Sequence, residues 1–167
     1  LNTTGFKLNH SMLRVRDPKA SLEFYEQHLG ATLIESFSFD EMGFTLYFLG
    51  FQDHLKDLLP SDRGDRIEWM ASQPGLLELT HNHGSEDDPE FEGYHNGNTD
   101  PKGFGHLCIS VPDVYATCEN LEQAGVEFVK KPDGGSMKGI AFIKDPDGYW
   151  IELFSPKSLR DLITGSA

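Results

Sequence analysis

The chain has 167 residues, of which 38% are hydrophobic and 25% charged, enough for a compact globular protein with a buried core. Its formal net charge of -13 excludes a nucleic-acid partner, because binding a phosphate backbone needs Lys and Arg to displace counterions. No apolar run approaches a bilayer span, and the opening Leu1-Asn2-Thr3-Thr4-Gly5 holds no signal core, so a cytoplasmic protein without membrane contact is expected.

In chain order, His10 to Asp17 (HSMLRVRD) reads as a strand running into a helix start. Asp17 is the expected N-cap, its carboxylate accepting from the free amides of the first turn, and Pro18 sits where a first-turn proline is tolerated. Leu22, Tyr25 and Leu29 form an apolar stripe at helical spacing, and Gly30 ends the helix. Phe44 to Leu49 is a strand, Gly50 to Gly75 reads as a long loop or short helix, and Leu77-Glu78-Leu79 places an acidic residue between aliphatics. The run Glu86 to Glu90 is expected to be a solvated loop within the irregular stretch His83 to Gly103.

The pattern then recurs, which makes the chain an internal duplication. His106 to Asp113 (HLCISVPD) repeats His, Val and Asp at the spacing of the first segment, and Asp113 is a second N-cap. Val114, Cys118 and Leu121 mark the second helix, which stops at Gly125. Ile140 to Ile143 pairs through the turn Asp145-Pro146-Asp147-Gly148 with Tyr149 to Phe154, where Ile151-Glu152-Leu153 repeats the acidic residue between aliphatics. Residues 1–167 are read as a single α+β unit with half-modules at about 7–82 and 104–156.

Each half therefore begins with a strand histidine and ends with a strand glutamate. Residues two apart in a strand share a face, so His10 lies with Met12 and Arg14, and Glu78 with Leu76, Thr80 and Asn82. His106 likewise lies with Cys108 and Ser110, and Glu152 with Trp150 and Phe154. A glutamate on an apolar strand face is costly to bury unless it is paired or bound to a metal. Two histidines and two glutamates at equivalent places let one divalent cation solve both charge problems, and the mixed nitrogen and oxygen donors suit Zn, Ni, Co or Fe(II). His28, His54, His81, His83 and His95 have no repeat counterpart and are expected on helix surfaces or loops; Cys108 reads as a small core residue rather than a nucleophile. The two cysteines lack metal-type spacing and fit a reducing compartment.

The segments LRVRD (13–17), LELTHN (77–82), YHNGN (94–98), GFGH (103–106) and DPDGYWIE (145–152) resemble the glyoxalase I family of vicinal-oxygen-chelate enzymes, in order and over nearly the whole chain. The resemblance implies two βαβββ modules forming a curved mixed sheet with helices outside. It implies one divalent metal held by His10, Glu78, His106 and Glu152, with zinc favoured and nickel the alternative. It further implies a homodimer in which His10 and Glu78 of one chain meet His106 and Glu152 of the other. The implied reaction is isomerisation of the methylglyoxal–glutathione hemithioacetal to S-lactoylglutathione, with Glu152 as principal base and Glu78 serving the other substrate enantiomer. Arg14, Asn82, Lys102, Lys130, Gly135, Ser136 and Met137 match glutathione-binding positions. Lys102 stands where some relatives have arginine, which reduces a bidentate clamp to a point charge. Phe44, Leu46, Ile140, Phe142 and Trp150 are the expected apolar pocket for the methyl group.

Other functions on this fold remain in view. An Fe(II) dioxygenase needs a two-His, one-carboxylate triad with open positions, and the fourth donor, Glu78, argues against it. A thiol transferase or epimerase is the nearer rival, and a drug-sequestering protein would have no use for four intact ligands.

Overall fold

In a computed structural model, residues 1–165 are described, and they form two compact units, Leu1–Gly93 and Tyr94 onward. The first contains β1 (His10–Val15), α1 (Pro18–Leu29), β2 (Thr32–Phe39), β3 (Phe44–Gly50), α2 (Leu55–Leu58), α3 (Arg63–Ser72) and β4 (Leu76–Asn82). The second contains β5 (His106–Ser110), α4 (Val114–Gln123), β6 (Phe128–Lys130), β7 (Ile140–Lys144), β8 (Trp150–Phe154) and α5 (Pro156–Thr164). Each unit is thus a βαβββ module, the first with a helical insertion and the second with a helical tail.

The two sheets share one topology. Their strand orders are β1-β4-β3-β2 and β5-β8-β7-β6, and in both the first strand lies parallel to the last while the other pairs are antiparallel. Helices lie outside two mixed four-stranded sheets, the α+β pair of βαβββ modules that the resemblance implied. Among the described residues no helix is long and apolar enough to cross a membrane.

Local signals in the sequence account for the helices. Asp17 accepts from Lys19 N and Ala20 N, Pro18 opens α1, and Gly30 ends it in the left-handed conformation at φ 69°. Asp113 caps α4 in the same way, accepting from Tyr115 N and Ala116 N. The buried stripe of α4 is Val114, Cys118 and Leu121, as expected. In α1 the buried face is Ser21, Phe24 and Tyr25, one step round from the expected stripe, leaving Leu22 and Leu29 half-buried.

Strand alternation separates two faces. Leu13, Val15, Leu49, Leu77 and Leu79 are buried on one face of the first sheet, and Ala141, Ile143, Ile151 and Leu153 on one face of the second. Each such aliphatic contributes about 1.5–3 kcal/mol on leaving water. The segment Gly50 to Gly75, where a long loop or short helix was expected, supplies two helices. Leu55 and Met70 build a separate cluster with Ile34, Phe48 and Leu76, against which Phe37, Leu46, Leu59 and Trp69 pack. By register Leu76, Phe48, Leu46 and Phe37 share the face of Glu78, so the insertion covers part of the glutamate-bearing face.

Candidate active site

The register of β1 on β4 sets His10 beside Leu76 and Met12 beside Glu78, so these side chains leave one face of the sheet. His10 Nε2 lies 3.1 Å from Glu78 Oε2. Glu78 is only 8% exposed, and its Oε1 accepts from Thr80 Oγ1 at 3.0 Å. Phe48, opposite Glu78 across β3 and β4, stands edge-on to the His10 ring with centroids 5.3 Å apart and planes at 87°.

The second unit repeats this geometry. His106 Nε2 lies 3.4 Å from Glu152 Oε2. Phe142, opposite Glu152, stands edge-on to His106 at 5.3 Å and 80° and leans on Trp150. Cys108 lies beside Glu152 in the register and is exposed, so it is not the core residue expected from the sequence. Desolvation, then the hydrogen bond to Glu152 and that residue's charge, push its thiol up to about 12. A thiol kept protonated is a poor nucleophile.

The remaining candidates fall around these pairs. In the first unit Arg14 lies beside Thr80 and Asn82 beside Phe44, both on the Glu78 face, with Leu46 between. Lys102 is exposed in the segment before β5, and Gly135, Ser136 and Met137 are exposed in the loop joining β6 to β7. Lys130, opposite Phe142, donates from Nζ to Met137 O at 2.7 Å and also to Ile140 O. Its ammonium thus holds that loop, and burial lowers its pKa. Ile140 is 2% exposed, a core position although its register places it on the Glu152 face.

Several residues escaped the sequence. Phe48 is the repeat counterpart of Phe142, and aligning the glutamates together with their antiparallel partners would have found it. His81 is no loop histidine: it is a buried β4 residue whose Nε2 lies 2.6 Å from Glu86 Oε2, so Glu86 is not merely solvated. Glu35, on the Glu78 face, holds the insertion by accepting from Arg66 Nη2 at 2.8 Å and Nε at 3.2 Å. Asn96 and Asn98 donate to Gly148 O and Gly105 O at 2.9 and 2.7 Å, which anchors the approach to His106. Gly97 between them is obligatory, since at φ +82° a Cβ would lie 2.3 Å from Phe104 N.

Residues 7–153 match the model of the Glyoxalase/Bleomycin resistance protein/Dioxygenase superfamily. The lactoylglutathione lyase of Pseudomonas putida is 52% identical over 157 residues, covering 94% of this chain and 89% of that protein. The chain belongs to the glyoxalase I family. Glyoxalase I of Saccharomyces cerevisiae is 46% identical over 92% of this chain, which spans 46% of the yeast protein. The trypanothione-dependent glyoxalase I of Leishmania major matches in structure with a TM-score of 0.67 at 26% identity, over 96% of this chain and 94% of that one.

Glyoxalase I membership implies a divalent metal, and the His–Glu pairs fit one. Two donors bound to one cation at about 2.1 Å stand about 3.0 Å apart at a right angle and about 3.4 Å apart at a tetrahedral angle. The observed separations of 3.1 and 3.4 Å are of that size. Among the described residues no cluster of three or more His, Cys, Asp or Glu is poised for a metal.

Proposed function

We propose that this glyoxalase I enzyme isomerises the hemithioacetal of methylglyoxal and glutathione to S-lactoylglutathione at a divalent-cation site built from His10, Glu78, His106 and Glu152. The observation that carries the reading is the twice-repeated His–Glu pair at ligand spacing on equivalent strands. His10 and Glu78 of one copy join His106 and Glu152 of a second, which makes the active form a homodimer. Zinc is the proposed metal, nickel the alternative. The site residues fall within one functional unit made from both half-modules, and the two free cysteines support a reducing, cytoplasmic setting.

The substrate carries a hydroxyl beside a carbonyl, and in the product the carbon-bound hydrogen sits on the neighbouring carbon and the hydroxyl hydrogen on the neighbouring oxygen. A divalent cation there supplies positive charge against the oxygens as they become negative. Glu152 takes the proton from the carbon bonded to sulfur, the C–H electron pair becomes the carbon–carbon double bond, and the carbonyl π pair passes to its oxygen, giving an enediolate. The carboxyl returns the proton to the adjacent carbon, the hydroxyl proton passes from the oxygen on the sulfur-bearing carbon to the neighbouring oxygen, and the former oxygen becomes the thioester carbonyl.

An asymmetry between the pairs supports Glu152 as the base. Glu78 is fixed by the Thr80 hydroxyl. Glu152 has Phe154 at the equivalent place and, besides His106, the Cys108 thiol, a weak donor, so its oxygens are more available to a substrate C–H. Arg14 and Asn82 serve the glutathione carboxylates with Lys102, Gly135, Ser136 and Met137, while Lys130 shapes the loop that carries the last three. Phe44, Leu46, Phe142 and Trp150, joined by Phe48, surround the methyl group, with Ile140 packed behind.

The test is S-lactoylglutathione formation from methylglyoxal and glutathione by protein stripped of metal and restored separately with zinc and nickel. Activity that returns with metal supports the reading, and the better ion identifies the class. Folded, metal-binding protein without activity would move the assignment to an epimerase or thiol transferase.

A further inference from the structure

We infer that Asn9 is a positioning residue that fixes the tautomer of His10 and aims its Nε2 at the cation; this rests on His10 being a ligand, as proposed above. Asn9 reaches away from His10 to the end of α3. Its Nδ2 lies 3.0 Å from Met70 O, 3.1 Å from Ala71 O and 2.7 Å from Gln73 O, the carbonyls where α3 ends. A carbonyl can only accept, so the amide nitrogen must face α3 and the amide oxygen must face the other way. That oxygen lies 2.7 Å from His10 Nδ1. It too can only accept, so the neutral imidazole carries its proton on Nδ1 and presents a lone pair at Nε2.

Nε2 is the atom 3.1 Å from Glu78 Oε2. A nitrogen lone pair and a carboxylate oxygen facing each other repel, and a cation between them satisfies both. The backbone holds the arrangement as well, since Leu76 N donates to Asn9 O at 2.8 Å where β1 and β4 begin to pair. Phe48 bounds the ring edge-on. The insertion therefore reaches the site through one side chain, from the last turn of α3 to Asn9 to His10. In the second unit Gly105 precedes His106, so the device belongs to the first half alone. The partner of a ligating histidine's second nitrogen sets the ring's tautomer and orientation, and losing it typically costs 10–100-fold in metal affinity.

The experiment uses full-length, metal-free protein with 15N-labelled histidine, the His10 signals being assigned by their loss in His10→Ala. Long-range proton–nitrogen correlations in the unsubstituted protein are expected to show the Nδ1–H tautomer. Asn9→Leu, which removes the acceptor, is expected to shift it toward Nε2–H and to weaken zinc binding about 10–100-fold in competition with a chromophoric chelator. Asn9→Asp keeps the acceptor but loses the three donations, so it lowers thermal stability while retaining the tautomer; a residue that only pins α3 would not preserve it. An Nε2–H tautomer in the unsubstituted protein overturns the inference, even where a variant fails to fold. Unchanged zinc affinity in Asn9→Leu overturns it alone if His10→Ala still weakens binding. If His10→Ala also leaves affinity unchanged, the ligand assignment fails and the inference with it.

Discussion

Glu35→Gln tests how the insertion is held over the glutamate-bearing face. Glu35 Oε2 accepts twice from Arg66 and lies 3.5 Å from Arg63 Nε. Hydrogen bonds to charged groups contribute about 1.5–3 kcal/mol, whereas the largely exposed Arg63 adds at most about 1 kcal/mol. Arg66 keeps its bonds to Pro60 O and Ser61 O and is not orphaned, so a loss of about 2 kcal/mol at pH 7 is expected. Burial pushes the Glu35 carboxyl up, but the Ser36 N–H, the Arg66 hydrogen bonds and the charges of Arg63 and Arg66 outweigh it, holding the group below its ordinary 4.5. A carboxyl depressed in the folded state contributes stability that is full above its unfolded value and is lost as pH falls through the folded one. Urea unfolding of both proteins from pH 7 down to about 3 should therefore show a gap that closes below about 4.5 as Glu35 protonates. A gap independent of pH, or none at pH 7, would refute the reasoning.

Glu152→Gln is expected to lower kcat by about 10²–10⁴-fold with thermal stability retained; residual activity within tenfold of the parent sinks its assignment as base. Arg14→Ala should weaken binding of an S-alkyl glutathione inhibitor about tenfold, equivalent to about 1.4 kcal/mol, with kcat little changed. Calorimetry giving an unchanged Kd would remove Arg14 from the glutathione site. Phe48→Ala empties a position only 7% exposed and should cost about 3–5 kcal/mol in urea unfolding; a loss under 1 kcal/mol would show that the insertion collapses to fill the space.

The periodic features were legible because they follow from chain-local physics. The strand–helix junctions at Asp17 and Asp113, the hairpin turn at Asp145–Gly148 and the shared element order of the two modules were visible in capping residues, turn chemistry and the duplication itself. The His–Glu pairs were legible because two-residue periodicity and repeat equivalence converge on the same four positions. What escaped depends on contacts remote in sequence. Nothing near Asn9 announces that its amide reaches carbonyls at Met70, Ala71 and Gln73. Glu35 likewise reads as an ordinary strand carboxylate until α3 brings Arg66 to it. His81 reads as a helix-surface or loop residue because it has no repeat counterpart, yet the alternation that puts Glu78 and Thr80 on one face sends His81 to the other.

The duplication explains why the candidate site is built twice, and its departures explain why the halves do different work. At the position before the histidine, the first module has Asn9 and the second Gly105. Two residues beyond the glutamate stand Thr80 and Phe154, and beside the glutamate in register stand Met12 and Cys108. The first two exchanges give the first pair more fixed polar partners, while the third gives Glu152 a thiol where Glu78 has only a thioether beside it. Glu78 receives a hydroxyl hydrogen bond and His10 an amide oxygen, which suits a rigid half-site that sets where a cation sits. Glu152 has a weak thiol donor instead, with Phe154 in the place of Thr80, leaving a carboxylate that can turn toward a substrate hydrogen without breaking a strong bond. On the proposed mechanism proton transfer falls to the less restrained half, although both halves carry the same His–Glu pair.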